Sequence, residues 1–408
     1  MENVYIQRNK TNGYCVFSEN YSDGIMCNSV LIICYLYYEE TLNDYYKYLD
    51  AIPCEIKLIL VTSNKNVFSK LEYKYLGADN VEIRFKSNRG RDLSALLVSC
   101  QDELLNYRYV CFVHDKKTLR DYEGEELEIW IENMWSSMMA SEEYIRNMYS
   151  YMEQNNNVGL LVPLVPFGDN FQAWLGRGWG KNYLNTMKLA DSLELNVDID
   201  IKYPPIALGS VFWCRSKALK KLFEKKWKYA DFPQEPMPLD GTISHAIERV
   251  LPFVAQDAGF ETKTVMSSGF APKYLSFVQD GLKRISDVLY ENMEFKTLNE
   301  INCLDNKKKK IEELLTHFSP IYLYGSGHSG IGCARMLRTW GIEPKAFLTS
   351  QEPDNCNVEG IKVYKFSSVK DKIGEALIII TPFDPQIRSD INQMLENQGF
   401  TTILWHEK

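Results

Sequence analysis

Three short segments gather residue types that manage phosphate, hydroxyl protons and cations. The first is Ser87-Asn88-Arg89-Gly90-Arg91-Asp92. Gly90 permits a sharp turn or a close backbone approach to a ligand. Arg89 and Arg91 carry forked donors suited to phosphate or carboxylate. Asp92 either caps a following helix or holds a ribose or sugar hydroxyl. A capped turn with solvated arginines is the plainer reading of the same residues. The second segment is His114-Asp115-Lys116-Lys117. Negative charge growing on a leaving diphosphate needs a metal or cationic side chains. Asp115 is the residue that would bind a divalent ion through oxygen, and His114 and the lysines would otherwise supply charge directly. A solvated charge cluster is the bland alternative.

The third segment runs from Phe232 to Arg249 and holds Asp240, His245, Glu248 and Arg249. His245 shares a helix face with Glu248 and Arg249, at spacings of three and four. A carboxylate such as Asp240 at the mouth of a sheet suits the deprotonation of a hydroxyl. It also suits a helix cap. Further on, Gly325-Ser-Gly327-His-Ser-Gly330 follows the strand-like Ile321–Tyr324 and precedes a helical pattern. That arrangement fits a dinucleotide-binding turn. The next strand ends in Thr349-Ser350 where an acidic ribose partner is expected, so a Gly-rich scaffold or oligomerisation turn competes with the nucleotide reading.

These segments need strands and helices to position them. Apolar runs at Ser29–Tyr37, Glu55–Val61, Val81–Phe85 and Tyr109–Val113 read as strands, with helical patterns at Glu40–Leu49 and Leu93–Leu105 between them. Such alternation predicts a parallel sheet, which binds ligands at the carboxyl ends of its strands. Tyr37, Thr62, Asn88–Asp92 and His114–Lys117 fall at those ends. One long helix is expected over Glu125–Gln154, a buried strand over Val158–Val162, irregular chain over Pro163–Pro205, and a helix over Gly241–Val250. The expected organisation is a first α/β domain over 1–265, a helical connector over 266–310, and a small Rossmann-like domain over 311–408.

The bulk numbers set limits. A chain of 408 residues exceeds one ordinary core. A hydrophobic content of 45% with 25% charged residues describes a globular protein, and the net charge of -8 argues against a general nucleic-acid binder. The ten cysteines form no C-x-x-C pair and read as reduced thiols of a cytosolic protein. The chain shows no signal-peptide pattern, and its longest apolar run, Ser29–Tyr38, is too short to span a bilayer. A lipid-linked substrate would be met at the cytosolic membrane face, by peripheral contact.

Taken in order, Tyr37-Tyr38, Asn88–Asp92, His114–Lys117, Leu208–Trp213 with Arg215, and Asp240–Arg249 resemble the rhamnan synthesis protein F family. The resemblance covers roughly Val30 to Thr262. It implies a GT-A-like glycosyltransferase that moves rhamnose or another hexose to a cell-surface polysaccharide. The donor would be dTDP-rhamnose or a UDP-sugar, and the acceptor a lipid-linked or polymeric glycan. Tyr37, Thr62, Asn88, Arg91 and Asp92 would hold the nucleotide sugar, and His114, Asp115, Lys116 and Lys117 its diphosphate. Asp240 would be the base of an inverting reaction, with His245, Glu248 and Arg249 orienting or neutralising. The strand that precedes an Asp-x-Asp motif in related enzymes ends here in His114-Asp115-Lys116, which puts dependence on Mg or Mn in doubt. Trp174, Trp179 and Asn182 are expected on the acceptor side. Competing readings are an NAD-linked sugar-modifying oxidoreductase acting through Gly325, Gly327 and Gly330, and a non-catalytic assembly protein. A homo-oligomer stays open.

Overall fold

The structure, a computed structural model, describes residues 14–22, 29–117, 125–168, 171, 173–203, 205–293 and 303–406. The chain divides into two compact units, Met1–Leu275 and Ser276–Lys408.

The first unit is built on an eight-stranded sheet. Its strands are β1 (Tyr14–Phe17), β2 (Val30–Tyr35), β3 (Lys57–Thr62), β4 (Val81–Phe85), β5 (Tyr109–His114), β6 (Val158–Val162), β7 (Phe212–Arg215) and β8 (Glu261–Ser267). The spatial order is β1-β8-β6-β7-β5-β2-β3-β4. All neighbours pair in parallel except β7, which runs antiparallel to both β5 and β6. The two central strands β2 and β5 are buried along their whole length, as expected for strands covered on both faces. Successive side chains alternate between the two cores. Leu31, Ile33, Val110 and Phe112 enter one; Val30, Ile32, Cys34, Cys111 and Val113 enter the other.

Helices cover both faces. The core containing Ile32 and Cys111 packs against α1 (Leu42–Leu49), α2 (Lys65–Lys74), α4 (Glu125–Met139) and α5 (Glu142–Gln154). The other core takes residues from the segment after α3 (Arg91–Ser94), from α6 (Tyr183–Ser192), from α7 (Lys220–Glu224) and from α8 (Ile243–Asp257). The helix expected over Glu125–Gln154 is in fact two. Ser141 breaks it by turning extended and accepting the Tyr144 amide with its hydroxyl, an N-cap. Helix α2 carries an Asn64 cap of the same kind, and α6 interrupts the stretch read as irregular. Strand β8 was not read as a strand and crosses the expected boundary at 265; Glu261 at its start pairs with Lys263.

The second unit carries a six-stranded sheet in the order β11-β12-β10-β9-β13-β14. Its members are β9 (Ile321–Tyr324), β10 (Ala346–Thr349), β11 (Asn357–Val358), β12 (Ile361–Lys365), β13 (Leu377–Ile380) and β14 (Thr401–Leu404). Five of them are parallel, and only β11 turns back. The chain enters through α9 (Ala271–Met293) and α10 (Leu304–Leu315), and α11 (His328–Thr339), α12 (Phe366–Ile373) and α13 (Pro385–Glu396) connect the parallel strands. Among the described residues no helix is long and apolar enough to cross a membrane.

One buried cation ties the first sheet to its flanking chain. Arg215, 1% exposed at the end of β7, donates to the carbonyls of Val158, Met152 and Asn155 and to the Tyr109 hydroxyl. Its removal leaves several buried acceptors without partners, each costly. Arg215→Met is expected to lower unfolding stability by about 3 kcal/mol, read by urea denaturation; a loss near zero would mean that the freed carbonyls find water.

Candidate functional site

The carboxyl ends of β2, β3, β4 and β5 open on one side of the first sheet. Because β7 is antiparallel to β5, pairing Phe212 with Phe112, the residues just before β7 arrive at the same edge. This brings Gly209 and Ser210 to the ends of β2 and β5.

At the centre stands Asp115. Its Oδ2 accepts from the backbone amides of Tyr37 at 2.6 Å and Tyr38 at 2.7 Å. Its Oδ1 is buried and has no partner. Burial raises its pKa from 3.8 to about 6, against the lowering pull of those two amides and of His114. His114, next to it, has Nδ1 2.6 Å from the Asp115 carbonyl and Nε2 2.7 Å from the Gly209 carbonyl. Both ring nitrogens face acceptors, which only the imidazolium satisfies at both ends. Asp92 Oδ2 lies 3.6 Å from the same Nε2. Lys116 places its ammonium 3.8 Å over the Trp130 ring, and Lys117 pairs with Glu40 at 2.6 Å.

The Ser87–Asp92 turn is held from below and from the side. Lys86, 5% exposed, donates to Ser87 O and Ser94 Oγ and sits 4.9 Å over the Tyr35 ring. Burial lowers its pKa to about 8, with Asp92 and Glu235 pulling the other way. The Tyr35 hydroxyl donates to Asn88 Oδ1 at 2.8 Å. Gly90 has φ +75, and a Cβ there would meet the Phe232 ring at 2.5 Å. The arginine forks are engaged inside the protein. Arg89 donates to Phe232 O and Ala230 O, while Arg91 makes a two-pronged pair with Glu235, both contacts 2.8 Å. The expected free phosphate donors are therefore clamps on the 229–236 loop. Thr62 likewise faces inward: its hydroxyl accepts the Asn64 amide, and Asn64 in turn donates to Tyr37 O.

Helix α8 supplies the opposite wall. Glu248 Oε2 accepts from Gly209 N at 2.8 Å and Ser210 Oγ at 3.3 Å, and its Oε1 pairs with Arg249 at 3.0 Å. Arg249 reaches on to the Gly178 carbonyl. Asp240 does not cap α8. Thr242 is the N-cap, with His245 Nδ1 2.7 Å from its hydroxyl. Asp240 instead accepts from Asn182 Nδ2 at 2.6 Å and Lys181 N at 3.3 Å. Burial works against its ionisation, but these donors, the Gly241 amide and His245 outweigh it and hold its pKa below the usual range. Gly180 lies so close that a Cβ would stand 2.9 Å from Asp240 Oδ2.

Asp92, His114 and Asp115 thus form one cluster. Gly209 links it to Glu248 and Arg249, Arg249 donates to the His245 carbonyl, and the His245 ring acts on Asp240. Lys86 and Trp130 were not singled out in the sequence, and Gly209 and Ser210 entered only as part of Leu208–Trp213. A lysine directly before Ser87 was the available signal for the first. Trp179, expected on the acceptor side, is a buried ring. It is 8% exposed, donates to Tyr203 O and packs on Tyr183 and Phe253. The side chain of Trp174 lies outside the described residues. Of the four non-glycine residues with positive φ among the described residues, Arg91 and Ser210 sit here, consistent with backbone strain gathering at functional sites.

A divalent metal fits this donor set poorly. Among the described residues no three His, Cys, Asp or Glu side chains are grouped to hold one. One Asp115 oxygen is engaged by the amides of Tyr37 and Tyr38.

In the second unit, Gly325 has φ +111 and Gly330 presses on the Gly325 carbonyl, where a Cβ would come within 2.0 Å. Close packing of the turn accounts for both. Gly327 is the N-cap of α11 and faces open space. Ser329 bonds the Thr381 carbonyl and lies 2.5 Å from His406 Nε2.

The mixed α/β architecture, with polar side chains gathered at the carboxyl edge of a largely parallel sheet, is consistent with a glycosyltransferase-like fold. A family model described as rhamnan synthesis protein F matches residues 14–260, more than half of the chain, and the chain belongs to that family of polysaccharide synthesis. It is also 24% identical over 244 residues to the uncharacterized protein WxcX of Xanthomonas campestris pv. campestris, in strain B100 and in a second strain. That match covers 58% of this chain and 33% of the relative, so the chain spans a third of the length of the curated relatives it matches.

Asp115 yields a pH test. Its pKa is higher folded than unfolded, so the folded chain binds the proton more tightly between about pH 4 and 6. Stability falls as pH rises through that window, by up to about 3 kcal/mol. Asp115→Asn keeps the oxygen that accepts the two amides and removes the charge. It is expected to match wild type near pH 4 and to exceed it at pH 7 in urea unfolding. A variant less stable than wild type at pH 7 would show that the charge is compensated within the chain.

Proposed function

We propose that this chain is a GT-A-like, inverting glycosyltransferase that moves a sugar from a nucleoside-diphosphate donor to a growing polysaccharide. The observation that carries the reading is that two different carboxylate environments, around Asp240 and around Asp115, are joined through His245, Arg249, Glu248, Gly209 and His114. Asp240 is kept ionised by Asn182 and nearby amides, as a base must be. Asp115 and Asp92 stand beside His114, whose ring satisfies two acceptors only when charged. The imidazolium and Lys116 would stabilise the leaving diphosphate in the role that a metal serves elsewhere.

In this reading Tyr37, Tyr38 and Asn88 border the nucleotide, with Asn88 aligned by Tyr35. Arg91 acts through Glu235 to hold the loop that leads to Asp240. Glu248 and Arg249 fix Gly209 and Ser210, and His245 favours ionised Asp240. Rhamnose from a dTDP donor agrees with the family, and UDP-linked hexoses are the alternative donors. The acceptor would be a lipid-linked or polymeric glycan. The second unit, with five parallel strands and a Gly-rich turn before α11, is read as a Rossmann-like module. Its tight glycines favour a structural turn over a nicotinamide site.

The test is a thermal-shift panel of dTDP, UDP, GDP and NAD, with and without chelator. A ligand that binds only the folded state stabilises by about 2.7 kcal/mol at a hundredfold excess over Kd. Stabilisation by one nucleoside diphosphate that persists in chelator is expected; a response to NAD alone would move the chemistry to the second unit. Asp240→Asn should cut transfer by about a thousandfold while donor affinity stays within about twofold, measured by radiolabelled transfer and calorimetry. Full transfer by that variant removes Asp240 as the base.

A further inference from the structure

Helix α9 carries an apolar seam. Leu275, Val278, Leu282, Ile285 and Leu289 follow one another at spacings of three, four, three and four. That is the repeat of the two core positions of a coiled coil, which holds one stripe toward a partner helix. None of the five joins the apolar cores described for the two units. Leu275, Leu282 and Ile285 are 65%, 54% and 43% exposed, where a stripe of this kind ordinarily packs against another element.

The charges of the helix indicate what fits the seam. Lys273, Lys283 and Arg284 are balanced by Asp280, Asp287 and Glu291, and all six fall on the outer positions of the repeat. Lys283 pairs with Asp287 at 2.6 Å and Arg284 with Asp280 at 3.0 Å, each within the helix. A helix that lies on a membrane has instead an excess of Lys and Arg on its polar face. The positions flanking the seam, Gln279, Gly281, Ser286 and Val288, are uncharged. Two copies of the seam therefore meet without like charges across them, as a self-complementary interface requires. The next described helix of the chain is already engaged: Ile311 of α10 is buried in the second unit's core, with Leu304, Leu314 and Leu315 packed against it.

We propose that α9 is a self-association surface, its seam packing against the same seam of another copy of this chain. The balanced outer charges set a second copy above a lipid surface, and the uncharged flanks allow identical stripes to close. Removal of the exposed leucines and isoleucine from water drives the contact. The inference does not depend on the transferase reading.

The test is sedimentation velocity of the full chain over a range of concentrations. Wild type is expected at a multiple of the 47.4 kDa chain mass. Leu282→Glu combined with Ile285→Glu sets two carboxylates in each seam and should weaken association at least about a hundredfold, leaving the single-chain mass. Ile285→Gln, a milder and neutral change, should weaken it about tenfold. Ser276→Glu, on the outer side of the same helix, should associate as wild type does. Circular dichroism and urea unfolding confirm that each variant folds. Association that survives the double substitution in a folded chain overturns the inference, because another surface then holds the copies. A wild type that stays at the single-chain mass also overturns it. In that case easier unfolding of the double variant assigns the seam to cover by its own chain. Co-sedimentation of wild type, but not of the double variant, with phosphatidylglycerol–phosphatidylethanolamine vesicles assigns it to lipid.

Discussion

The rest of the site depends on one carboxylate taking two amides. Pairing between β2 and β5 continues past the strands, with the Asp115 amide donating to Tyr35 O. Beyond that point β2 peels away, and the amides of Tyr37 and Tyr38 would be left in a buried place without partners. Asp115 Oδ2 receives both. This fixes where Tyr37 and Tyr38 lie and aims His114 at Gly209. The cost is a carboxylate in a poorly solvated place, with its second oxygen unmet. Stability is traded for a fixed charge at the mouth of the sheet.

From that point the geometry propagates by short links. His114 holds Gly209, Gly209 is held by Glu248, and Glu248 by Arg249, which reaches the Gly178 carbonyl. The reversed strand β7 makes this chain of contacts feasible. Run in parallel, it would have delivered Gly209 and Ser210 to the far edge of the sheet.

Much of the sheet was legible in the sequence because its central strands are continuous apolar runs, as at Leu31–Tyr35 and Tyr109–Val113. Strand β8 was not, since Glu261 and Lys263 neutralise each other and break the apolar pattern. The split of the long helix at Ser141 was hidden because strong helical patterns flank it on both sides. In the site, residue types marked the right segments but not their partners. Arg91 looked like a phosphate donor, and nothing local revealed Glu235, 144 positions away. Lys86 was overlooked because a single lysine after a strand carries no periodic signal, and only its burial beneath the turn sets it apart. Trp179 was misplaced because sequence cannot tell a ring stacked in a core from one facing a ligand.

The loop over 229–241 is fastened at both ends by different segments. Arg89, Gly90 and Arg91 grip it near Ala230, Phe232 and Glu235, and Asn182 and Lys181 grip it at Asp240. Three stretches far apart in the chain therefore share one mechanical element. In a comparison of relatives they should vary as a set, and a chimera that imports the loop without the 87–92 turn and the 178–185 segment carries an unanchored bridge. Moving this loop between relatives is a matter of exchanging three cassettes together.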